Sequence, residues 1–229
     1  MLTRPIEDSK VLISKLKSLG HDVSHMPVIK VKRRELINLK YEEYSGIIFT
    51  SSNSIKFLET KNISKSIYCF CVGSATEKLA LEKGFQNVYA AGGNVRNLKE
   101  IIIQNFSKKI GKLLYVSGEI VSSNLHKELK DENFDIERVI NYEVEHNNDL
   151  DQNFIEQMKS FMPEIIYVYS ENSAKSLLKI IKKYELVDYW MNTNLMCLGE
   201  KTSSVLNEIK WKKIFLFNPG DEEFLLYKI

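Results

Sequence analysis

The sequence predicts an α/β protein made of two similar parallel-sheet domains, one inserted into the other. Apolar runs alternate with helix-like stretches along the chain, which indicates parallel strands joined by helical crossovers. The chain also repeats itself: SSNSIKFL at 51–58 is echoed by SENSAKSL at 170–177, and CVGSAT at 71–76 is echoed by CLGEKT at 197–202. The first echo lies 119 residues downstream and the second 126, so one strand–turn–helix pattern occurs twice.

The N-terminal residues predict a short strand, a helix and a second strand. MLTRP is typical of a very short strand that ends at Pro5. EDSKVLISKLKSLG has apolar residues at helical spacing, and Gly20 is a fitting C-terminal cap. HDVSHMPVIKV then predicts an extended segment.

Strands and helices alternate from there to the C-terminus. The predicted strands are GIIFTSS, YCFCVG, NVYAA, KLLYVSG, IERVINYEVEH, IIYVYS, LMCLG and KIFLF. The predicted helices are NSIKFLE, ATEKLALEKG, NLKEIIIQNF, SSNLHKELKDENF, QNFIEQMKSF, SAKSLLKIIKKYE, TSSVLNEI and a final short helix. Ser74 and Glu77 have the spacing of a capping box at one of these helices.

The repeat also predicts the domain boundaries. The second copy supplies only three strands, so it needs the N-terminal strand and helix to complete a sheet like the first. We therefore predict a discontinuous domain of residues 1–29 and 146–229, with a domain of residues 35–137 inserted in it. Residues 30–34 and 138–145 are then expected to pair as two antiparallel linker strands beside a cleft.

Composition excludes several classes of function. A net charge of +2 gives no strong field toward nucleic acid or membrane, and no apolar run approaches the ~20 residues of a membrane span. The start lacks a signal peptide, and Cys69, Cys71 and Cys197 are expected to be buried, reduced thiols of a cytoplasmic protein. Because no metal motif, nucleotide-binding loop or nucleophile elbow occurs, an enzyme with this sequence is expected to need no cofactor.

Small polar residues follow five of the predicted strands. These turns are Thr50–Asn53, Gly73–Thr76, Ser117–Glu119, Ser170–Asn172 and Gly199–Thr202. In doubly wound sheets such turns line the ligand-binding edge, and helix N-termini there suit anions. Each residue is equally open to interpretation as a helix cap. Together they predict a cleft of hydrogen-bond donors for a ligand with many carboxylates or phosphates.

Charged and phenolic side chains near the predicted cleft leave two interpretations each. Arg4 is placed either to bind a carboxylate with its fork of donors or to pair on the surface with Glu7 or Asp8. The basic cluster at 30–34 is either a solvated face or a source of positive potential. Tyr142 either packs or donates a hydrogen bond to a leaving hydroxyl, because a phenol stays protonated at neutral pH.

The ordered set of these segments resembles the uroporphyrinogen-III synthase family over essentially the whole chain. The segments are LTRP, IIFTSSNSIKF, CVGSATEKLALEKGF, LLYVSGE, VINYEVE, YVYSENSAKSL and CLGEKTSSVL. The resemblance implies two flavodoxin-like α/β domains joined by a two-stranded linker, with the active site in the cleft. It further implies a lyase of haem biosynthesis that converts hydroxymethylbilane, a linear tetrapyrrole with eight carboxylates, into uroporphyrinogen III. The reaction releases water, inverts ring D and needs neither metal nor cofactor, and the family allows a transient contact with the preceding pathway enzyme.

The resemblance assigns roles to individual residues. Tyr142 matches the family's linker tyrosine, which assists departure of the hydroxyl, and is expected to be catalytic. The residues expected to bind substrate are Arg4, Ser51, Ser52, Thr76, Ser117, Gly118, Ser170 and Thr202. Two features depart from the family: the first strand is unusually short, and Glu200 and Lys201 occupy a turn that is usually smaller and more neutral. Glu200 would repel a polycarboxylate unless Lys201 offsets its charge, which puts ligand contacts from that turn in doubt.

Two rival functions are compatible with parts of the pattern. The first is a non-catalytic two-domain module that binds a polycarboxylate, against which Tyr142 argues because sensing needs no acid. The second is a nucleic-acid-binding protein, which would need a denser basic stripe and stacking aromatic residues than this chain offers.

Overall fold

The computed structural model describes residues 1–36, 39–218 and 222. The chain forms two compact units. Residues 1–30 and 145–229 make up one, called the terminal unit below, and residues 31–144 make up the other, called the inserted unit.

The inserted unit is built around a six-stranded sheet. Its strands are β1 (Ile29–Arg33), β2 (Tyr44–Phe49), β3 (Tyr68–Cys71), β4 (Asn87–Ala90), β5 (Lys112–Gly118) and β6 (Ile136–His146). Its helices are α2 (Ser52–Lys56), α3 (Ser74–Glu82), α4 (Val95–Asn105) and α5 (Leu125–Asp131), with a 3₁₀ turn at Tyr41–Glu43. The strand order is β1-β6-β5-β2-β3-β4, and the sheet is mixed but mostly parallel because β2 to β6 pair in parallel.

The order of these strands creates a switch point between β2 and β5. From β2 the chain proceeds outward through β3 and β4, whereas β5 and β6 lie on the other side. Central strand β2 is apolar at every position from Ile47 to Phe49 because helices cover both faces of the sheet. Ile47 and Phe49 belong to one buried cluster and Ile48 to another. The connections that follow β2 and β5 therefore lead to opposite sides of the sheet, and doubly wound folds bind ligands at this edge.

The terminal unit contains a three-stranded parallel sheet. Its strands are β7 (Ile165–Val168), β8 (Asn194–Leu198) and β9 (Lys213–Phe217), paired in that order. Its helices are α1 (Ile6–Ser18), α6 (Gln152–Ser160), α7 (Glu171–Lys183) and α8 (Glu200–Ser204), with a 3₁₀ segment at Val187–Asn192. Its core includes Trp190, which is fully buried and packs on Trp211.

The N-terminal residues extend this sheet by single bridges rather than by strands. Leu2 forms parallel bridges to Tyr167 of β7 and to His25. The two strands predicted at MLTRP and HDVSHMPVIKV are thus wrong in extent: Leu2 makes two isolated bridges, His25 makes one, and only the IKV end of the second segment lies in a strand, β1, which begins at Ile29. Pro5 and Pro27 explain this, since proline has no N–H to donate to a ladder. The resulting order, β9-β8-β7-Leu2-His25, repeats the order β4-β3-β2-β5-β6.

Strand register confirms the internal repeat. Cys69 pairs with Val88 in the inserted unit, and Leu195 pairs with Ile214 in the terminal unit, so each residue lies 126 positions after its counterpart. Phe49 likewise pairs with Cys71, as Val168 pairs with Cys197.

Three predicted helix details differ from the structure or lie outside it. The capping box at Ser74 is wrong, because Gly73 is the N-cap and Ser74 is already helical. Helix α8 ends at Ser204, earlier than TSSVLNEI suggested. The predicted final helix falls almost wholly on residues 219–221 and 223–229, outside the described part of the chain.

Candidate functional site

The switch point of the inserted unit brings together several predicted residues. Ser51 and Ser52 follow β2 through Thr50, and Ser117 and Gly118 end β5, the neighbouring strand. Ser51 is the N-cap of α2, with its hydroxyl accepting a hydrogen bond from Asn53 N at 3.2 Å. The Thr50 hydroxyl is hydrogen-bonded to the Tyr115 phenol at 3.0 Å.

Tyr142 lies within β6, directly beside the end of β5. It pairs with Gly118, its side chain is 9% exposed, and its ring centroid is 6.3 Å from that of Phe57. A Cβ on Gly118 would lie 2.5 Å from two carbons of the Tyr142 ring, so any other residue there would force the ring to shift. The structure therefore supports packing of the Tyr142 ring, and the role of its phenol as a donor stays a prediction.

Arg138 contacts this edge and is a candidate site residue that the sequence analysis missed. Its Nε donates to the Ser117 hydroxyl at 2.8 Å, and its Nη2 donates to the carbonyls of Gly118 at 2.7 Å and Glu119 at 2.9 Å. The Ser117 hydroxyl in turn donates to the Gly118 carbonyl. The signal that could have found Arg138 is its spacing, four residues before Tyr142 in the same strand. It holds the β5 turn against Tyr142 and engages the Ser117 hydroxyl inside the unit.

Burial shapes the chemistry of this edge. It raises the pKa of Tyr115, while the hydrogen bond to Thr50 and the charge of Arg138 act in the opposite direction. Asn141, which is fully buried beside Tyr142, donates to the Ser54 carbonyl at 2.7 Å. The edge is thus polar, and most of its side chains are hydrogen-bonded within the unit, although the Ser54 hydroxyl and the Asn141 carbonyl oxygen are buried without a partner among the described residues.

Two further predictions for the inserted unit concern Thr76 and the basic cluster at 30–34. Thr76 is in the first turn of α3, buried at 4% exposure behind the Gly73 turn. In the basic cluster, Arg34 lies 3.1 Å from the carboxylate of Glu119 and 3.6 Å from that of Glu143. At least this arginine is therefore neutralised by acidic neighbours.

In the terminal unit, Ser170 and Thr202 occupy the equivalent turns. Ser170 caps α7 and accepts from Ser173 N at 3.1 Å. Thr202 is 3% exposed, and its hydroxyl donates to the Leu198 carbonyl at 3.0 Å. Glu200 is the first residue of α8. Its expected repulsion of a polycarboxylate stays a prediction.

Arg4 follows the Leu2 bridge, next to the end of β7. Its guanidinium carbon lies 4.2 Å above the centre of the Tyr169 ring, and its Nη1 is 3.9 Å from the Glu222 carboxylate. This carboxylate is a different one from Glu7 and Asp8, which the sequence suggested. The Arg4 carbonyl accepts from His25 Nε2 at 2.8 Å, so the backbone of this residue is held in place.

Two of the cavities lie near the amino ends of the strands, away from the polar turns. One of about 240 Å³ is lined by residues that include Leu36, Tyr44 and Glu137, and one of about 800 Å³ by residues that include Leu16 and Phe161. Neither is lined by a predicted site residue. We locate the candidate site by strand order rather than by cavity size, because the polar turns lie where the strands end.

The described part of the chain has neither a cluster of metal-ligand side chains nor a helix that could span a membrane. Within residues 1–36, 39–218 and 222, no three or more His, Cys, Asp or Glu side chains are grouped as a metal site would require. No helix among these residues has the length and apolar character needed to cross a membrane. Cys69, Cys71 and Cys197 are free and buried.

Comparison with known proteins identifies the family. The family model described as uroporphyrinogen-III synthase HemD matches residues 10–216. An uncharacterized protein of Rickettsia prowazekii (strain Madrid E) is 23% identical, over 100% of this chain and 97% of that protein.

Solved structures show the same fold. Uroporphyrinogen-III synthetase from Helicobacter pylori 26695 has a TM-score of 0.62 at 19% identity, covering 92% of this chain and 96% of that one. A mutant uroporphyrinogen III synthase from the extremely thermophilic bacterium Thermus thermophilus has a TM-score of 0.59 at 11% identity, covering 99% of this chain and 96% of that one. With the family model spanning most of its length, this chain belongs to the uroporphyrinogen-III synthase family.

Proposed function

We propose that the protein closes hydroxymethylbilane to uroporphyrinogen III, with loss of water and inversion of ring D, as a lyase that needs no metal or cofactor. Membership of the family, over residues 10–216, is the observation that carries this proposal. It disfavours a non-catalytic module, because the family is one of synthases.

The chemistry demands orientation more than reactivity. The substrate loses its hydroxymethyl oxygen to give an electrophilic azafulvene, and it can then close without help to the isomer that keeps ring D in place. The enzyme has to hold ring D so that its substituted carbon attacks, giving a spiro intermediate that reopens and recloses. Selecting one isomer a hundredfold requires only about 2.7 kcal/mol between the two barriers, which fixed geometry can supply.

Tyr142 is the residue we propose to assist departure of the hydroxyl. Its ring is held between Phe57 and Gly118, so its phenol has little freedom to turn away from a bound substrate. We further propose that Ser51, Ser52 and Thr76 with the β5 turn, and Arg4, Ser170 and Thr202, contact the carboxylates. Their position at the carboxyl ends of parallel strands supports this role.

We also propose two domains, one of residues 1–29 with 146–229 and one of residues 35–137, joined by linker strands in β1 and β6. Hydrogen bonds from Arg34 N to Asn141 O and from Asn147 N to Val28 O support pairing of these strands.

The free, buried thiols favour a reducing compartment such as the cytoplasm. Transfer from the preceding pathway enzyme during a brief contact would limit spontaneous closure of the substrate.

The test is incubation with freshly prepared hydroxymethylbilane, followed by separation of isomers I and III. We expect isomer III to dominate with the protein and isomer I to dominate in a protein-free control. The same ratio should persist after exhaustive chelation and dialysis, since the sequence contains no metal-binding motif. Isomer I alone in both samples would overturn the proposed function, and activity restored by one added metal would overturn cofactor independence.

A further inference from the structure

The strand registers define matching positions at the binding edges of the two units. Ile48 pairs with Tyr115 across β2 and β5, and Tyr167 pairs with Leu2 across β7 and the N-terminal bridge. Ile48 and Tyr167 are related by the 119-residue repeat, so Tyr115 corresponds to Leu2. Two residues further along each segment, Thr50 corresponds to Tyr169 and Ser117 corresponds to Arg4.

In the inserted unit, the side chains at these positions bond within the unit. Thr50 is hydrogen-bonded to Tyr115, and Ser117 both accepts from Arg138 and donates to the Gly118 carbonyl. These hydroxyls already have the partners that buried polar groups need.

In the terminal unit, the matching side chains leave two buried donors unused. Arg4 Nε and the Tyr169 phenol are both buried, and neither has a hydrogen-bond partner among the described residues. The guanidinium is nevertheless held by stacking at 4.2 Å on the Tyr169 ring. The carboxylate of Glu222 is 3.9 Å from Nη1, which is beyond hydrogen-bonding distance.

Two buried donors with no acceptor are unusual in a native protein, because each forgoes the hydrogen bonds that it makes in water. Burial raises the pKa of Tyr169, so its phenol is a donor at neutral pH, and the guanidinium is a permanent cation. Both groups lie at the carboxyl ends of their segments, where the 13-residue helix α7 begins after Ser170. The N-terminal end of a helix carries a positive partial charge.

We propose that Arg4 Nε and the Tyr169 phenol form a subsite for one carboxylate of the tetrapyrrole substrate. A carboxylate supplies two acceptor oxygens and the opposite charge, which matches one cationic donor and one neutral donor. The inference rests on the proposed function for the identity of the ligand. Two acidic groups lie near: Glu222, as described, and Glu171 in the first turn of α7, which pairs with Lys175 at 2.6 Å.

The test compares three variants in steady-state kinetics with hydroxymethylbilane. Arg4→Gln removes the cation and Tyr169→Phe removes only the phenol while keeping the ring beneath Arg4. Lys210→Gln is the matched control, because it removes one exposed positive charge of the same unit at the amino end of β9, away from the polar turns. We expect KM to rise about 10- to 100-fold for Arg4→Gln and about 3- to 10-fold for Tyr169→Phe, with no change for Lys210→Gln.

A second readout is thermal unfolding with and without the product uroporphyrinogen III. The increase in Tm that the product causes reports binding without turnover. The subsite is supported if this increase is smaller in Arg4→Gln and Tyr169→Phe than in the wild type and in Lys210→Gln. An unchanged KM and an unchanged Tm increase in folded Arg4→Gln would overturn it, as would equal losses in Lys210→Gln, which would indicate a general charge effect.

The two proposals fail in different ways. A wild-type protein that yields no isomer III contradicts the proposed function, whereas normal isomer III production with unaffected Arg4→Gln contradicts only the subsite. If Arg4→Gln does not fold, Tyr169→Phe decides alone: a wild-type KM and Tm increase in that variant would overturn the subsite.

Discussion

Two turns of the molecule share a sequence pattern but need their glycines for different reasons. In β3–α3 and β8–α8, a glycine caps the helix and a threonine three residues later is buried. Gly73 is extended, and a Cβ there would lie 3.2 Å from the Cα of Gly93. Gly199 has a φ of +80° and ψ of 165°, and a Cβ there would meet nothing within 4 Å. One glycine permits close approach of two backbones, and the other permits a backbone conformation that side chains disfavour.

The edges formed by the carboxyl ends of the strands also carry different side chains in the two units. The inserted unit has the Tyr142 phenol beside Gly118, at the end of β5. Conversely, the terminal unit has unused donors where the inserted unit is internally bonded. The two copies of the fold thus carry different polar side chains at matching positions, and in our proposal each supplies a different part of the site.

The largest expected effect comes from removing the phenol of Tyr142. Tyr142→Phe keeps the ring between Phe57 and Gly118, and it removes only the hydroxyl. General-acid assistance is typically worth about 10²–10⁴-fold, so we expect kcat to fall at least tens-fold while Tm changes little. The fraction of product made by the enzyme should stay isomer III, although total isomer I rises because spontaneous closure competes.

Tyr68→Phe is the control for Tyr142→Phe. Tyr68 lies at the start of β3, in an aromatic cluster with Phe70 and Phe106, away from the polar edge. Its variant should keep wild-type kcat. Near-normal turnover in Tyr142→Phe would exclude the acid role, and unfolding of that variant would show that the hydroxyl is needed for packing.

Periodicity and repeats predicted most of the fold, because strand and helix signals are local. The bridges at Leu2 and His25 escaped prediction, since an isolated bridge depends on the strand beside it rather than on its own residues. The site residues were harder to predict because their contacts also depend on neighbouring segments. The capping role of Ser51 is visible in sequence, but the bonds from Arg138 to the β5 turn depend on a register that no single segment encodes.

The glycine comparison can be tested by alanine at both positions. Gly199→Ala should lower the free energy of unfolding by about 1–3 kcal/mol, because its φ and ψ lie in a region that essentially only glycine occupies. Gly73→Ala should cost less than about 1 kcal/mol, because Gly93 lies in a turn and needs to move only a few tenths of an ångström.

Gly20→Ala calibrates the effect of positive φ at an open site, since Gly20 has a φ of +87° and nothing within 4 Å of a Cβ. Denaturant unfolding of the three variants gives the comparison. If Gly73→Ala proved the most damaging of the three, the backbone contact with Gly93 would matter more than the strained conformation, and the assignment of reasons would reverse.

The smallest expected effect separates the two serine caps that begin the repeated helices. Ser170→Ala leaves the N–H of Ser173 without its acceptor, and Ser173 is 1% exposed, so water cannot replace the lost bond. Ser51→Ala leaves the N–H of Asn53, which is partly exposed and can turn to water. Within the usual range of about 0.5–2 kcal/mol for loss of a cap, we expect Ser170→Ala near the top and Ser51→Ala near the bottom. Denaturant midpoints and the exchange rates of the Ser173 and Asn53 amide hydrogens measure both. Equal costs would mean that burial of the capped amide does not decide the difference, and a KM change in a variant that stays folded would show that its hydroxyl also contacts the substrate.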